Sequence, residues 1–461
     1  MKFLVSLLLL FFVLWASLYG EVTEIMLFGE DELVVTPTRM EESVLEAPSS
    51  VTVITYEMLR RMGVRTLGEA LQMVPGVYVC SSERHLKRLW IRGIKGTYND
   101  HTLLLINGIP QRELVYGHMF IDEYLPVNNI KRIEIIRGPG SALYGTNAFS
   151  GVINVITKDA EDVRGTLAEG VVGSANTYGG SCEYGDVLRG FSVYAYGRFY
   201  STEGSGPEFS SDGKRRLFAT DPARSAVVWF TGRYEGWGLS LRYINFRHKF
   251  PTLPDYPGEA WENNWFFYDN YFIDLSRRFS VRNVTARVYG YLHEYDNTAF
   301  WQMYDVDTSG AGALDYVITY DIWPIKRTRL GGLSFNANID SLPLQQTVTF
   351  GMEYIYERII EVRDLYRNRI TGDTISPYAD TSQSPYDFYI ESMVHYSYAA
   401  YLQDVIRLHL CQITIGLRDD YSIYGHSISP RGGIIYHIVP GVVAKLLYGR
   451  AFRAPSYSCL L

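Results

Sequence analysis

Residues 123–158 read EYLPVNNIKRIEIIRGPGSALYGTNAFSGVINVITK, the most specific pattern in this chain. Two apolar runs, at 130–138 and 151–157, have the length and the flanking turn residues of strands. The segment between them is rich in glycine, which permits tight turns and close backbone approach. It lacks both the Gly-Lys-Ser/Thr ending of a P-loop and the GxGxxG spacing, so a phosphate-binding loop is disfavoured.

The residues before this stretch predict a compact α+β domain. A strand is expected at 51–55, and a helix follows it. A second short helix begins after Thr66, which can cap it together with Glu69 three residues later. Pro75 and Gly76 end this second helix. Further strands are expected at 89–93, 102–108, 130–138 and 151–157.

From about residue 163 onward, residues alternate between two faces with a period of two. In FSVYAYGRFY (191–200), Phe191 and Phe199 lie on one face, and Tyr194 and Tyr196 lie on the other. Aromatic residues crowd the strand ends, and the strands suit the roughly 9–11 residues that cross a membrane as part of a barrel. We count about thirteen strands. A large soluble β-sandwich is the alternative.

The connections between these strands alternate in length. Short turns are expected near 187–190, 235–236, 279–283, 341–345, 408–411 and 438–442. Longer connections are expected near 201–223, 247–267, 296–325 and 360–392. Short turns on one side and long loops on the other are typical of outer-membrane barrels.

The first twenty residues, MKFLVSLLLLFFVLWASLYG, have the form of a secretory signal. A positive Lys2 precedes an apolar run that is short for a membrane-spanning helix, which needs about 20 residues. An uncleaved anchor is the alternative. Because no other segment approaches that length, a membrane-embedded form of this chain would have to be a β-barrel.

Composition narrows the classes of function. The 461 residues include 43 Lys and Arg against 50 Asp and Glu, and the formal charge of −7 disfavours nucleic-acid binding. Four cysteines form no CxxC pair, so a zinc ribbon is disfavoured. No GxSxG, HExxH or paired-carboxylate motif stands out, and we therefore predict no enzyme activity and no cofactor.

The chain resembles the TonB-dependent outer-membrane receptors, most specifically over residues 31–160. The resemblance is carried by DELVVTPTRMEESVLEAPSSVTVITYEML (31–59), ALQMVPGVYV (70–79), LWIRG (89–93), LLLINGIP (103–110) and the stretch at 123–158. It is weaker through the second half and sharpens at SPRGGIIY (429–436) and LLYGRAFRAPS (446–456). It implies a small α+β plug domain followed by a transmembrane antiparallel β-barrel in the outer membrane.

The resemblance also implies a domain order. We expect a signal peptide at 1–20, a periplasmic leader with a TonB box at 21–45, a plug at 46–160 and the N-terminal part of the barrel at 161–461. The family barrel has about 22 strands around a plugged lumen. Since about thirteen are present, the sequence favours a chain truncated at its C-terminus, from a frameshift, a premature stop or an incomplete gene. A smaller closed barrel of twelve or fourteen strands is the alternative.

Two sets of residues are implied by the resemblance. The TonB box corresponds to Glu32, Leu33, Val34, Val35 and Thr36. This extended segment could add a strand to the sheet edge of a TonB-type energy-transducing protein, and an ordinary first strand of the plug is the alternative. The structural motif of the plug corresponds to Arg137, Gly138, Pro139, Gly140, Tyr144, Gly145 and Gly151. Arg137 is expected to pair with a barrel carboxylate.

Two apical stretches of the plug are candidates for ligand contact. Their candidate residues are Arg84, His85, Arg112, Tyr116, His118 and Met119. Cationic side chains and tyrosine suit an anionic, oxygen-rich chelate, and His and Met suit haem iron or copper. The alternative for each is a solvated loop side chain, and no metal site is assigned. FRAP (452–455) is similar to a box of haem receptors but occurs widely in the family.

These observations predict a receptor for the energised uptake of a scarce solute, most simply a ferric siderophore or similar iron chelate. Its expected partners are a TonB-type protein, outer-membrane lipid and a small-molecule chelate. Cobalamin, haem and copper receptors of the same family are alternatives. A passive plugged barrel or adhesin and a non-functional truncated remnant also stay open.

Overall fold

The computed structural model describes residues 33–36, 38–40, 42–81, 87–96, 98–204, 208–210, 216–218, 222–249, 265–307, 315–368, 374–375, 392–439 and 441–457. The predicted signal peptide at 1–20 lies outside these residues. Among the described residues, no helix is both long and apolar enough to cross a membrane.

The N-terminal part is a small α+β unit, as the sequence predicts. Its strands are β1 (Leu33–Val34), β2 (Glu42–Ser43), β3 (Val51–Thr55), β4 (Val77–Ser81), β5 (Lys87–Ile91), β6 (Thr102–Ile106), β7 (Ile109–Gln111), β8 (Ile130–Arg137) and β9 (Gly151–Thr157). Its helices are α1 (Tyr56–Met62), α2 (Leu67–Gln72), α3 (Ser141–Tyr144) and α4 (Ala160–Val163). A five-stranded sheet of order β3-β8-β9-β6-β7 forms the centre, and only its β6–β9 pair is parallel.

Side-chain caps set the starts of the two longer helices. Thr55 accepts a hydrogen bond from the backbone N–H of Met58 at 3.2 Å, and Thr66 accepts one from Glu69 at 3.3 Å. Each bond satisfies a backbone donor that has no partner within the first turn. The predicted cap at Thr66 is therefore confirmed, although α2 ends at Gln72, before the Pro75-Gly76 pair.

The second part is one antiparallel sheet of thirteen consecutive strands, as the sequence predicts. They are β10 (Gly165–Gly173), β11 (Thr177–Leu188), β12 (Phe191–Thr202), β15 (Ala223–Tyr234), β16 (Trp237–Lys249), β17 (Trp265–Val281), β18 (Val284–Asp307), β19 (Asp315–Leu342), β20 (Gln346–Asn368), β22 (Met393–Arg407), β23 (Cys411–Ser422), β24 (Gly425–Val439) and β25 (Val442–Gly449). Short pieces β13 (Glu208–Ser210), β14 (Arg216–Phe218) and β21 (Thr374–Ile375) lie in the long connections, and a 3-10 turn spans Pro343–Gln345.

The expected alternation of faces is confirmed by burial. In β12, Tyr194 and Tyr196 are 1% and 2% exposed, whereas Phe191 and Phe199 are 45% and 55% exposed. The buried tyrosines join the same apolar cluster as the plug core, so one face of the sheet wraps the plug. The opposite face carries exposed apolar side chains, as a lipid-facing wall requires.

One feature of this sheet differs from the prediction, and its open edges agree with the expected incomplete barrel. The long connection predicted at 296–325 is shorter, because β18 and β19 extend into it and pair as far as Asp307 and Asp315. This segment is rich in aromatic and β-branched residues, which favour strands. In the described part of the chain, β10 pairs only with β11 and β25 only with β24, so the sheet does not close.

Close packing of the plug on itself depends on Gly151 at the start of β9. A Cβ atom there would lie 2.5 Å from the carbonyl oxygen of Ile136 and 2.7 Å from Cδ1 of Ile91. The backbone of β8 cannot move without breaking its pairing with β9, so the clash has no easy relief.

We predict that Gly151→Ala destabilises the plug by about 1–3 kcal/mol through overpacking. The urea midpoint of the plug, followed by pulsed proteolysis of the purified protein, measures this change. Gly197→Ala is the matched control, because a Cβ atom at Gly197 meets nothing within 4 Å. An unchanged midpoint for Gly151→Ala would contradict the packing described here.

Candidate functional site

The segment predicted to be the TonB box is folded onto the plug. Glu32 lies outside the described residues, while Leu33 and Val34 form β1 and pair with β2. Val34 is fully buried. The segment is thus extended, and the side chain at its centre is covered by the plug. Its assignment as a TonB box stays a prediction, beside the alternative of a first strand of the plug.

One carboxylate holds this segment in place. Glu134, fully buried in strand β8 of the five-stranded sheet, accepts hydrogen bonds through Oε2 from the backbone N–H groups of Val35 (3.0 Å) and Thr36 (2.8 Å). The same oxygen accepts from the Thr36 hydroxyl at 2.5 Å, and Oε1 accepts from Arg132 Nε at 2.8 Å. Hydrogen bonds to a charged group contribute about 1.5–3 kcal/mol each, so Glu134 is a strong anchor.

Two further side chains of the plug complete this anchor. Asn154 of β9 donates from Nδ2 to the Thr36 hydroxyl at 2.9 Å. The hydroxyl of Tyr144, at the end of α3, donates to the Thr36 carbonyl at 2.9 Å. Because the central sheet and the motif helix both contact Thr36, displacing this residue disturbs both.

Three residues further on, Arg39 joins the leader to the barrel wall. Its Nη2 lies 2.7 Å from Oε1 of Glu353 in β20 and donates to the Leu143 carbonyl at 2.6 Å. Its Nη1 donates to the hydroxyl of Tyr401 in β22 at 2.7 Å. Arg418 of β23 pairs with the second oxygen of Glu353, also at 2.7 Å, so one wall carboxylate links two guanidinium groups.

The residues that follow, at the end of the leader and the start of the plug, are also hydrogen-bonded to the wall. Lys445 Nζ donates to the carbonyl groups of Val44 (2.9 Å) and Ala47 (2.8 Å). Gln412 donates to Glu46 O at 2.8 Å, and Arg431 donates to Pro48 O at 3.2 Å. The leader therefore contacts the plug first and the wall second along the chain.

The glycine-rich motif forms the tight segment that the sequence predicts. Gly138 and Gly145 have φ values of 134° and 71°, and residues that have a Cβ atom rarely adopt such values. A Cβ atom at Gly140 would lie 2.5 Å from Val152 Cγ2, and Pro139 packs against the wall at Gly449. These contacts bring α3 next to Arg418.

The barrel carboxylate expected for Arg137 stays a prediction. In the structure, Nη1 of Arg137 donates a hydrogen bond to the carbonyl of Pro75 at 2.9 Å, within the plug. This bond ties the glycine-rich motif to the turn that follows α2.

The predicted apical ligand residues that the structure describes are half-buried or buried. Arg84 and His85 lie outside the described residues. Arg112 pairs with Glu357 of β20, and its Nη1 donates to Asn147 at 3.4 Å. Tyr116 stacks on Tyr98 with ring centroids 4.6 Å apart, and its hydroxyl accepts from Lys326 at 2.9 Å.

His118 and Met119 lie in the plug core, 4% and 2% exposed. His118 Nδ1 is 2.9 Å from the Tyr98 carbonyl, and its ring meets Phe120 edge-on at 4.6 Å. Burial lowers the pKa of this imidazole to about 4. Among the described residues, no group of three or more His, Cys, Asp or Glu side chains could hold a metal ion. Ligand contact by the six candidates stays a prediction.

Arg112 and Arg418 line a cavity of about 160 Å³ between the plug and strands β20 to β24. The cavity is lined by positive charges, from these two arginines, and by negative charges, from Glu357 and Asp420. Glu357 also accepts a hydrogen bond from the Tyr457 hydroxyl at 3.1 Å. Because the charges are mutually paired, a charged ligand would have to replace protein partners.

Sequence reasoning missed the residues that fix the leader. Glu134, Arg39, Glu353 and Arg418 were not among the candidates. A signal exists for Glu134 alone, since it is a lone carboxylate within the apolar run of β8.

Two family models match the chain. The TonB-dependent receptor plug domain matches residues 43–152, and the TonB-dependent receptor-like β-barrel matches residues 244–458. Together they span more than two thirds of the chain. The chain belongs to the TonB-dependent receptor family, and its location is the outer membrane.

Relatives and solved structures agree with this family. The vitamin B12 transporter BtuB of Vibrio vulnificus (strain CMCP6) is 24% identical over 441 residues, covering 93% of this chain and 64% of that protein. BtuB of Photobacterium profundum is 31% identical over 223 residues, covering 46% of this chain and 35% of that protein. The chain spans less than two thirds of the length of these relatives.

Two solved structures show the same fold. The unliganded ferric citrate transporter FecA matches with a TM-score of 0.65 and 17% identity, covering 86% of this chain and 61% of that chain. A mutant of the ferric enterobactin receptor PfeA from Pseudomonas aeruginosa matches with a TM-score of 0.65 and 19% identity, covering 92% of this chain and 64% of that chain.

We predict that His118 makes the plug sensitive to acid. In the unfolded chain the imidazole of His118 is protonated below about pH 6.5, whereas in the folded plug it is protonated only below about pH 4. The plug should therefore lose stability as pH falls through this window, by about 3 kcal/mol in all.

Urea midpoints between pH 7.5 and 4.5 measure this loss. His118→Asn keeps a donor for the Tyr98 carbonyl and should flatten the dependence. His426→Asn, at an exposed barrel histidine, is the control. An unchanged slope in His118→Asn would show that other groups cause the dependence.

Proposed function

We propose that this chain acts in the energised uptake of a scarce solute across the outer membrane. The observation that supports this role most strongly is the docking of the leader on Glu134. A force applied to the leader acts directly on β8, the strand between β3 and β9 in the plug sheet. A passive barrel would have no use for such a connection. No catalysis is assigned to the chain.

The partner would be a TonB-type protein that captures residues 32–36 as an added strand. Strand addition supplies affinity through backbone hydrogen bonds, and its specificity comes from alternate side chains. Here the backbone of Val35 and Thr36 is already bonded to Glu134, and Val34 is buried. Capture therefore requires the box to leave the plug first, which makes its release a control point.

The solute is proposed from the relatives and from the cavity. The two relatives described above are named vitamin B12 transporters, which favours a cobalamin-type corrinoid. The second candidate is an anionic iron chelate, the solute that the sequence favoured, which the cavity arginines would suit if it replaced their partners Glu357 and Asp420.

Uptake by a strain that lacks its own receptors and expresses this gene separates the two candidates. Radiolabelled cyanocobalamin is compared with radiolabelled ferric citrate and ferric enterobactin, with and without a functional TonB. TonB-dependent accumulation of cyanocobalamin alone supports the corrinoid, and accumulation of a ferric chelate alone supports the second candidate. Equal accumulation without TonB would contradict energised uptake.

We predict that Val34→Pro abolishes uptake while surface binding of the solute persists. Proline removes a backbone donor, so residues 32–36 can no longer complete a strand on the partner. Val34→Ile, which keeps a β-branched side chain, is the matched control and should retain uptake. Normal uptake by Val34→Pro would refute the assignment of the box.

We predict that Arg39→Gln releases the leader. The substitution removes the charge that binds Glu353, and the loss of one such hydrogen bond, about 1.5 kcal/mol, corresponds to about tenfold in the released population. The rate of thiol labelling at Val34→Cys, a position that is fully buried while the leader is docked, measures release when the native cysteines are replaced by serine.

Arg60→Gln is the matched control for this experiment. Arg60 is 56% exposed and pairs with Glu169 away from the leader. The labelling rate should stay unchanged in this variant. A labelling rate in Arg39→Gln equal to that of the unsubstituted arginine would show that the pair with Glu353 does not hold the leader.

A further inference from the structure

The outer surface of the wall carries a pair of arginines on adjacent strands. Arg224 of β15 and Arg247 of β16 are direct cross-strand partners, and both side chains are exposed. Their neighbours Ser225 and Phe246 are buried toward the plug, so both arginines lie on the lipid-facing side. Like charges directly opposite each other destabilise a sheet unless something compensates them.

Neither guanidinium has such compensation in the described part of the chain. Arg224 lies over the ring of Trp265 at 5.6 Å, and Arg247 lies over the ring of Phe267 at 5.5 Å. Neither makes an ion pair or a hydrogen bond there. The closest outward carboxylate in register, Asp269, accepts hydrogen bonds from Tyr243 (2.7 Å) and Asn245 (2.6 Å) instead.

The height of the pair on the wall indicates what it faces. The exposed Trp237 marks the lower end of β16, and Arg247 lies ten residues further along the same strand. Ten residues span about 33 Å along a strand, or about 25 Å across the membrane at the usual tilt. This is the height of the apolar band of outer-membrane barrels.

The residues between these two levels agree with this position. Leu239, Leu241 and Ile273 are 37%, 39% and 50% exposed on the same face. Above these apolar residues lie the polar side chains of Tyr243, Asn245 and Asp269 on the same face. Both arginines lie above this polar level, next to the long connections that mark the outer side of such barrels.

We propose that Arg224 and Arg247 bind the phosphate of a lipid headgroup in the outer leaflet. Two guanidinium groups can each offer paired donors to a phosphate, and the anion removes their mutual repulsion. The rings of Trp265 and Phe267 hold the guanidinium groups at headgroup level, where aromatic girdles lie. The site is independent of the solute and of the partner that drives uptake.

The test uses the full chain purified in neutral detergent and native mass spectrometry of bound lipid. The probe is dioleoyl phosphatidic acid, with dioleoyl phosphatidylcholine and inorganic phosphate in parallel. We expect the unsubstituted chain to retain phosphatidic acid and the double variant Arg224→Gln/Arg247→Gln to retain about tenfold less. The double variant Arg224→Lys/Arg247→Lys should show an intermediate loss, because lysine keeps the charge but lacks the paired N–H donors of the guanidinium group.

Arg277→Gln is the matched control, because Arg277 lies over Trp237 at the opposite end of the wall. Its retention of phosphatidic acid should equal that of the unsubstituted chain. Equal retention by the double glutamine variant, or equal loss in Arg277→Gln, would overturn the site. Displacement of the lipid by an equal concentration of inorganic phosphate would show a site for free anions and would also overturn it.

Discussion

A single buried carboxylate organises the functional part of this protein. Glu134 is fully covered and accepts hydrogen bonds from two backbone amides and one hydroxyl of the leader. A buried charge is tolerated only when its hydrogen bonds are satisfied. The leader supplies those bonds, so the plug sheet and the leader stabilise each other, and removing the leader leaves a costly unsatisfied group in the core.

This constraint extends from the plug to the wall through adjacent residues. Thr36 contacts the plug sheet and Tyr144. Arg39, three residues later, contacts the plug at Leu143 and the wall at Glu353 and Tyr401. The same carboxylate of Glu353 binds Arg418, which also lines the cavity beside Arg112. Occupation of the cavity and release of the leader therefore share a network of paired charges, which gives a physical route for coupling them.

The sequence predicted the elements of the fold better than the contacts of the site. Thr66 was identified as a cap because its partner lies three residues away, and the tyrosines of β12 follow a period of two. Glu134 bonds to Thr36, 98 positions away in the sequence, and Arg39 bonds to Glu353, 314 positions away. A local sequence pattern cannot predict contacts between residues so far apart along the chain. The burial of His118 shows the same limit, because its contacts with the Tyr98 carbonyl and the Phe120 ring could not be read from its residue type.

Hydrogen exchange at the amides of Val35 and Thr36 tests the central claim most directly. In the purified chain, both amides should exchange at least about a hundredfold more slowly than in a free peptide, since each is bonded to Glu134. In Glu134→Gln their protection should fall while the amides of the barrel strands stay unchanged. Exchange of both amides at the rate of a free peptide in the unsubstituted protein would contradict the account.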